Sequence, residues 1–199
     1  MPYPFTPDLR ARIVANVASA PAMSLMPADH HRAAVGVVLL PDSAGETCFV
    51  LTLRPSTLRR HAGQFALPGG RLEADETPEA AALREISEEI GLALPPSAVL
   101  GRLDDFASRS GHLITPIVCW TSQSELVVNP EEVEAAYRLP IADLERSGNP
   151  RLEPLLHFAL ANSSVYAPTA AILYQFRELA LHGRRIRVAE VEQPRFAWR

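Results

Sequence analysis

Residues 33–40 read Ala-Ala-Val-Gly-Val-Val-Leu-Leu, eight positions without a polar side chain. A short, uninterrupted apolar run rich in β-branched residues reads as a buried strand. Its partner follows at Thr47–Leu53 across a turn carrying Pro41, Asp42 and Gly45, so the two make a hairpin that the fold must bury. Three further runs, Val99–Phe106, Leu113–Thr121 and Val133–Leu139, read as strands. Among these lie a helix between Thr77 and Gly91, a helical turn at Pro140–Glu145, and a last helix over Pro168–Leu181, closed by His182-Gly183. Strands and helices interleave, yet the early strands are joined by short turns. That pattern predicts an α/β protein built as an α/β/α sandwich with a mixed β-sheet, not a doubly wound parallel sheet.

A chain of 199 residues suffices for one complete core. The expected organisation is a single domain over residues 33–199, preceded by an N-terminal helix and linker over residues 1–32. Thr6-Pro7 has the form of an N-cap and first-turn proline, and predicts a short helix through about Ala18. The formal charge of −4 offers a polyanion no general attraction, so nucleic acid is not the expected partner. Local basic clusters do occur: Arg54, Arg59, Arg60, His61 and Arg71 before the acidic helix, and Arg184, Arg185 and Arg187 near the end. Both suit the phosphates of a small anionic ligand. Cys48 and Cys119 lie in apolar runs and read as small buried hydrophobes, without a disulfide framework or zinc site. The beginning of the chain lacks the apolar core of a secretory signal, and no run is long enough to span a bilayer, which predicts a cytoplasmic protein with no membrane partner.

The chemistry concentrates in the helix near residues 78–90. Thr77 caps it, Pro78 opens its first turn, Gly91 closes it, and Pro95-Pro96 follow. At about 100° per residue, Glu85, Glu88 and Glu89 share about a third of the circumference, while Leu83, Ile86 and Ile90 fall on the other side. Carboxylates three and four apart repel by a few tenths of a kcal/mol per pair, so helix stability alone does not favour the arrangement. A divalent cation reverses that sign, and hard oxygen donors suit Mg²⁺ or Mn²⁺. Arg84 is placed to orient the carboxylates, and Gly69-Gly70 lets the backbone pass close to a cation, so a peptide carbonyl can join the ligands. The plainer account is a solvated acidic face paired with Arg84.

The wider context separates the two accounts. From Gly70 the chain runs five residues to Glu76, then seven, then Arg84-Glu85-Ile86-Ser87-Glu88-Glu89-Ile90-Gly91-Leu92. This resembles the signature of the Nudix hydrolases at every specified position over residues 70–92, a long and highly specific match. The resemblance implies an α/β/α sandwich and hydrolysis of a nucleoside diphosphate linked to another moiety. It also implies Glu85, Glu88 and Glu89 as metal ligands, Gly70 as backbone contributor, Arg84 as orienting partner and Glu76 as support behind them. The general base is either a glutamate of this segment, such as Glu85, or a later acid. Asn129-Pro130-Glu131-Glu132 supplies the later candidate, with Glu132 ahead of Glu131.

Residues 51–70, LTLRPSTLRRHAGQFALPGG, look like the extension that precedes this signature in the coenzyme A diphosphatases of the group. The implied reaction is hydrolysis of coenzyme A or acyl-coenzyme A to 4′-phosphopantetheine and adenosine 3′,5′-bisphosphate, with Arg54, Arg59, Arg60 and His61 binding the substrate. SGHLITPIV at 110–118 and VYAPTAAIL at 165–173 are similar to the same group, although Tyr166 and Pro168 stand where tryptophan and leucine are more usual. The alternatives are ADP-ribose or another nucleoside diphosphate derivative as substrate, and a non-catalytic nucleotide sensor on the same fold. Trp120 and the region Tyr166–Tyr174 read as core. A homodimer is expected only because symmetric dimers are common.

Overall fold

In the computed structural model, which describes residues 3–26, 29–55 and 63–194, the apolar run becomes β1 (His31–Pro41), the central strand of a mixed sheet. Antiparallel to it lie β2 (Thr47–Leu53), with Leu39 opposite Phe49, and the short β4 (Gly69–Arg71), with Ala34 opposite Gly70. On its other edge β7 (His112–Trp120) runs parallel, from His31 opposite His112 to Leu39 opposite Trp120. β3 (Phe65–Ala66) and β8 (Ala135–Pro140) pair with β2, while β5 (Val99–Arg102) and β6 (Phe106–Ala107) pair with β7.

Period-two alternation sends successive residues of β1 to opposite faces, and both faces are covered, which is why the run is apolar throughout. Ala34, Val38 and Leu40, with Cys48 and Cys119, pack against Ala82, Ile86 and Ile90 of α2 (Pro78–Ile90). Val37 and Leu39, with Phe49, Leu51 and Val118, pack against α1 (Pro7–Ala18) and α3 (Thr169–Gln175), which continues in wider turns over Phe176–Leu181. Each valine, leucine, isoleucine or phenylalanine among them contributes about 1.5–3 kcal/mol when fully buried. Helix, sheet and helix thus form the α/β/α sandwich. The cysteines are buried and free, and burial pushes their thiols up to about 11 for Cys48 and about 12 for Cys119. Among the described residues no helix is long and apolar enough to cross a membrane.

Several elements differ from the expectation. The single strand foreseen over Val99–Phe106 is interrupted at Leu103-Asp104-Asp105, because the two aspartates serve as acceptors inside the fold. Asp104 receives Met23 N at 2.7 Å and Arg187, and Asp105 receives Leu25 N at 3.0 Å and Thr115 Oγ1 at 2.7 Å. The stretch after α1 is therefore tied to the sheet, and His31 begins β1 instead of ending a linker. Nor do all the late arginines await an anion. Arg187 is committed to Asp104, and Arg184 to Glu178 at 2.6 Å, since both acids are buried and demand compensation. A hairpin of β9 (His157–Leu160) and β10 (Ser163–Tyr166) was not foreseen. Its turn uses Ala161 and Asn162 at positive φ, where a sequence reading looks for Asn-Gly.

Candidate active site

α2 carries its site because both ends are held as its sequence demands. Thr77 Oγ1 accepts from Ala80 N at 3.2 Å, and Gly91 ends the helix in the left-handed conformation. The glutamates do not form a solvated face. Glu89 is 5% exposed and Glu85 is half-buried, whereas Glu88 remains open.

Arg84 is the hub. Its Nε and Nη2 grip the two Glu76 oxygens, each at 3.0 Å, and Nη2 also donates to Arg71 O at 3.0 Å. Nη1 donates to Glu85 Oε1 at 3.0 Å and to Glu88 Oε2 at 2.8 Å. One guanidinium thereby joins the loop before α2, strand β4 and two glutamates through charge-assisted bonds. The hydrogen bond from Arg84 holds the Glu76 carboxyl below the ordinary carboxylate range.

Across from the helix, Gly70 lies against Glu85, and a Cβ at this position would collide with its carboxylate. Gly69 N donates to Glu89 Oε2 at 3.1 Å. The third wall is the segment before β8. Val127 N and Asn129 N donate to the carbonyls of Ile90 and Glu89, at 3.0 Å each, using acceptors that a helix end leaves unpaired. Asn129 then closes a turn through Glu131 and Glu132, and this brings Glu132 to the cluster. Carboxylate oxygens of Glu85, Glu89 and Glu132 lie within 4.8 Å of one another. Glu131 stays exposed outside the group, and the Glu88 carboxylate is turned to Arg84.

Negative charge gathered out of water is unfavourable. Burial, followed by the charges of Glu85 and, to a smaller degree, Glu132, pushes the Glu89 carboxyl up to about 8 against the opposing effects of Gly69 N–H and Arg54. Burial likewise raises Glu85, and Glu88 and Glu132 add to it, although Arg84 opposes them. The residues present fit a hard divalent cation: an all-oxygen donor set, converging carboxylates, one of them buried, and a glycine where any side chain would fill the space.

Beside the cluster, a cavity of about 360 Å³ is lined by Gly69, Gly70, Arg54 and Phe65 together with residues of the 108–114 and 168–169 segments. Arg54 Nε is buried without a hydrogen-bond partner among the described residues. Arg59, Arg60 and His61, the other expected substrate contacts, lie outside the described residues. Sequence reasoning did not single out Asn129 as the anchor of Glu132, Gly69 N–H as a donor to Glu89, or Ser108 and His112 in the cavity wall. The sequence marks His112 only as part of the Ser110-Gly111-His112 segment, without a role in the cavity wall. Trp120 stacks on Phe5 with ring centroids 4.1 Å apart, in keeping with a packing role.

A family model described as the NUDIX domain matches residues 30–158. The chain is 34% identical over 176 residues to the Nudix hydrolase NudL of Shigella flexneri, covering 81% of this chain and 87% of that protein. It is 38% identical over 139 residues to NudL of Cronobacter sakazakii, covering 68% and 69%. Similarity to Nudix hydrolase 3 of Caenorhabditis elegans, 33% identical over 149 residues, spans 70% of this chain but only 62% of the nematode protein. Among solved structures, the Nudix hydrolase RenU of M. smegmatis superimposes with a TM-score of 0.54 at 20% identity, covering 79% of this chain and 90% of that one. A MutT/nudix family protein of Enterococcus faecalis gives 0.52 at 16%, covering 77% and 56%. At such identities the two structures speak for the fold alone.

Proposed function

Because this chain belongs to the Nudix hydrolase family, we propose that it hydrolyses the diphosphate bond of coenzyme A or an acyl-coenzyme A, yielding 4′-phosphopantetheine, free or acylated, and adenosine 3′,5′-bisphosphate. Cleavage of a phosphorus-containing anhydride is the family's chemistry; the choice of substrate is our own step. The observation that carries it is the convergence of Glu85, Glu89 and Glu132 against Gly70, beside a cavity that Arg54 and Arg71 line. The resemblance of residues 51–70 to coenzyme A diphosphatases supports the substrate. We take the catalytic domain to begin with α1 and not at residue 33, since Leu9, Ile13 and Val17 lie in its core and β1 begins at His31.

In this reading Glu85 and Glu89, with the Gly70 backbone, would hold a divalent cation, and Glu88, here bonded to Arg84, would have to turn from it to join them. A Mg²⁺ or Mn²⁺ ion held there would neutralise the diphosphate and polarise the phosphorus under attack. Arg84 fixes the carboxylates, and Glu76 fixes Arg84. Glu132, the exposed member of the cluster, takes at a carboxylate oxygen the proton released by the attacking water. Arg54, with Arg59, Arg60 and His61, binds the substrate's anionic groups.

A substrate panel tests the reading: coenzyme A, acetyl-coenzyme A, ADP-ribose, a dinucleoside polyphosphate and a nucleoside triphosphate, each with Mg²⁺ or Mn²⁺. The coenzyme A pair is expected to turn over fastest. Inert coenzyme A beside cleaved ADP-ribose would remove the substrate assignment and leave the hydrolase. Nucleotide binding without any turnover would favour a sensor.

A further inference from the structure

We propose that Arg71, Ser108, Ser110 and His112 form a subsite for a phosphomonoester that the substrate carries beyond its diphosphate. The source of that group, the 3′-phosphate of coenzyme A, rests on the reading above; the subsite itself rests on geometry. Alternation along β4 sends Gly70 toward Glu85 and Arg71 to the other face, opposite Ala33 of β1, where it lines the cavity. There Arg71 meets the start of β7.

Arg71 Nε–H donates to His112 Nε2 at 3.3 Å, and because an arginine nitrogen only donates, the imidazole carries its proton on Nδ1. That proton goes to Ser110 Oγ at 3.4 Å. Ser108 Oγ accepts from His112 N at 3.0 Å, and the two serine oxygens lie 3.0 Å apart. Two hydroxyl protons serve one Ser–Ser bond, so whichever serine donates to the other, one hydroxyl proton is left for a ligand. The terminal nitrogens of Arg71 likewise have no partner among the described residues. Ser108 is 3% exposed, whereas Arg71 is open to solvent and free to meet an incoming anion. A guanidinium edge and a prearranged hydroxyl donor suit a phosphate dianion. The subsite shares its cavity with Gly69 and Gly70, so one ligand can reach both.

Calorimetric titration of the intact protein with adenosine 3′,5′-bisphosphate, AMP and inorganic phosphate tests this without turnover. Wild type is expected to prefer the bisphosphate over AMP by about tenfold, as one charge-assisted contact provides, and Arg71→Gln to reduce that preference to about twofold or less while leaving AMP affinity in place. Ser110→Ala is expected to lower it by about threefold, the scale of a neutral hydrogen bond. A preference unmoved in Arg71→Gln, or bisphosphate and AMP weakened alike, overturns the subsite. So does inorganic phosphate binding that matches the bisphosphate and is indifferent to Arg71. An Arg71-dependent preference with inert coenzyme A sinks the substrate reading alone, whereas coenzyme A hydrolysis with no such preference sinks the subsite alone.

Discussion

Glu89, near the end of α2, and Glu178, in the wide turns after α3, are 5% and 6% exposed, yet their surroundings are opposite. Burial pushes the Glu178 carboxyl up, but the Arg184 hydrogen bond and the charges of Arg177 and Arg184 outweigh it, leaving the group below the ordinary range. Buried Asp104 likewise accepts two hydrogen bonds from Arg187. Glu89 has one backbone N–H and two acidic neighbours, and its carboxyl rises to about 8. A fold that pairs buried Asp104 and Glu178 with arginine, and gives buried Asp105 a backbone N–H and the Thr115 hydroxyl, but sets Glu89 among other acids, has a place for a cation from outside. Balanced acids here are architecture; the unbalanced cluster is the site.

The largest test of this contrast is Glu89→Gln. Turnover is expected to fall about a thousandfold, the scale of losing a group that stabilises transition-state charge, with an unchanged circular dichroism spectrum. Retained activity would end the ligand assignment. The architectural side is broken by Asp104→Ala, which leaves Met23 N without its acceptor and Arg187 without its partner; urea unfolding is expected to show a loss of about 2 kcal/mol, with kcat of the folded protein preserved.

Stability against pH should separate the two acids by sign. Between pH 4.5 and about 8, folded Glu89 keeps a proton that the unfolded chain has released. Without metal, stability therefore falls as pH rises through that window, by on the order of a few kcal/mol. Glu178 acts oppositely: its contribution is present above the unfolded carboxylate pKa and is lost as pH falls through the lower folded value. Thermal melts should show Mg²⁺ raising Tm more at pH 8 than at pH 5, and Glu89→Gln should flatten the metal-free slope. A slope that survives in the variant would assign it elsewhere. The smallest effect belongs to the hub. Arg84→Lys loses the two-pronged grip on Glu76, and kcat is expected to drop about tenfold with KM nearly constant. An equal loss on KM would mean that Arg84 touches substrate.

What the sequence by itself determined is local. The caps of α2, its acidic face and the β1–β2 hairpin follow from spacing within a few residues, and spacing is what a chain shows when read alone. The sequence ranks Glu132 ahead of Glu131, but what delivers Glu132 to the cluster is Asn129 docking on the carbonyl of Glu89, a contact set by where α2 ends in space. Likewise the break between β5 and β6 depends on Met23, Leu25 and Arg187 seeking acceptors. Arg71 and His112 meet although 41 residues apart, because β4 and β7 both lie against β1. Periodicity states which face of an element is acidic or apolar. Only packing decides which distant group closes over that face, how much water is expelled, and so whether a carboxylate there is solvated, paired or left for a cation.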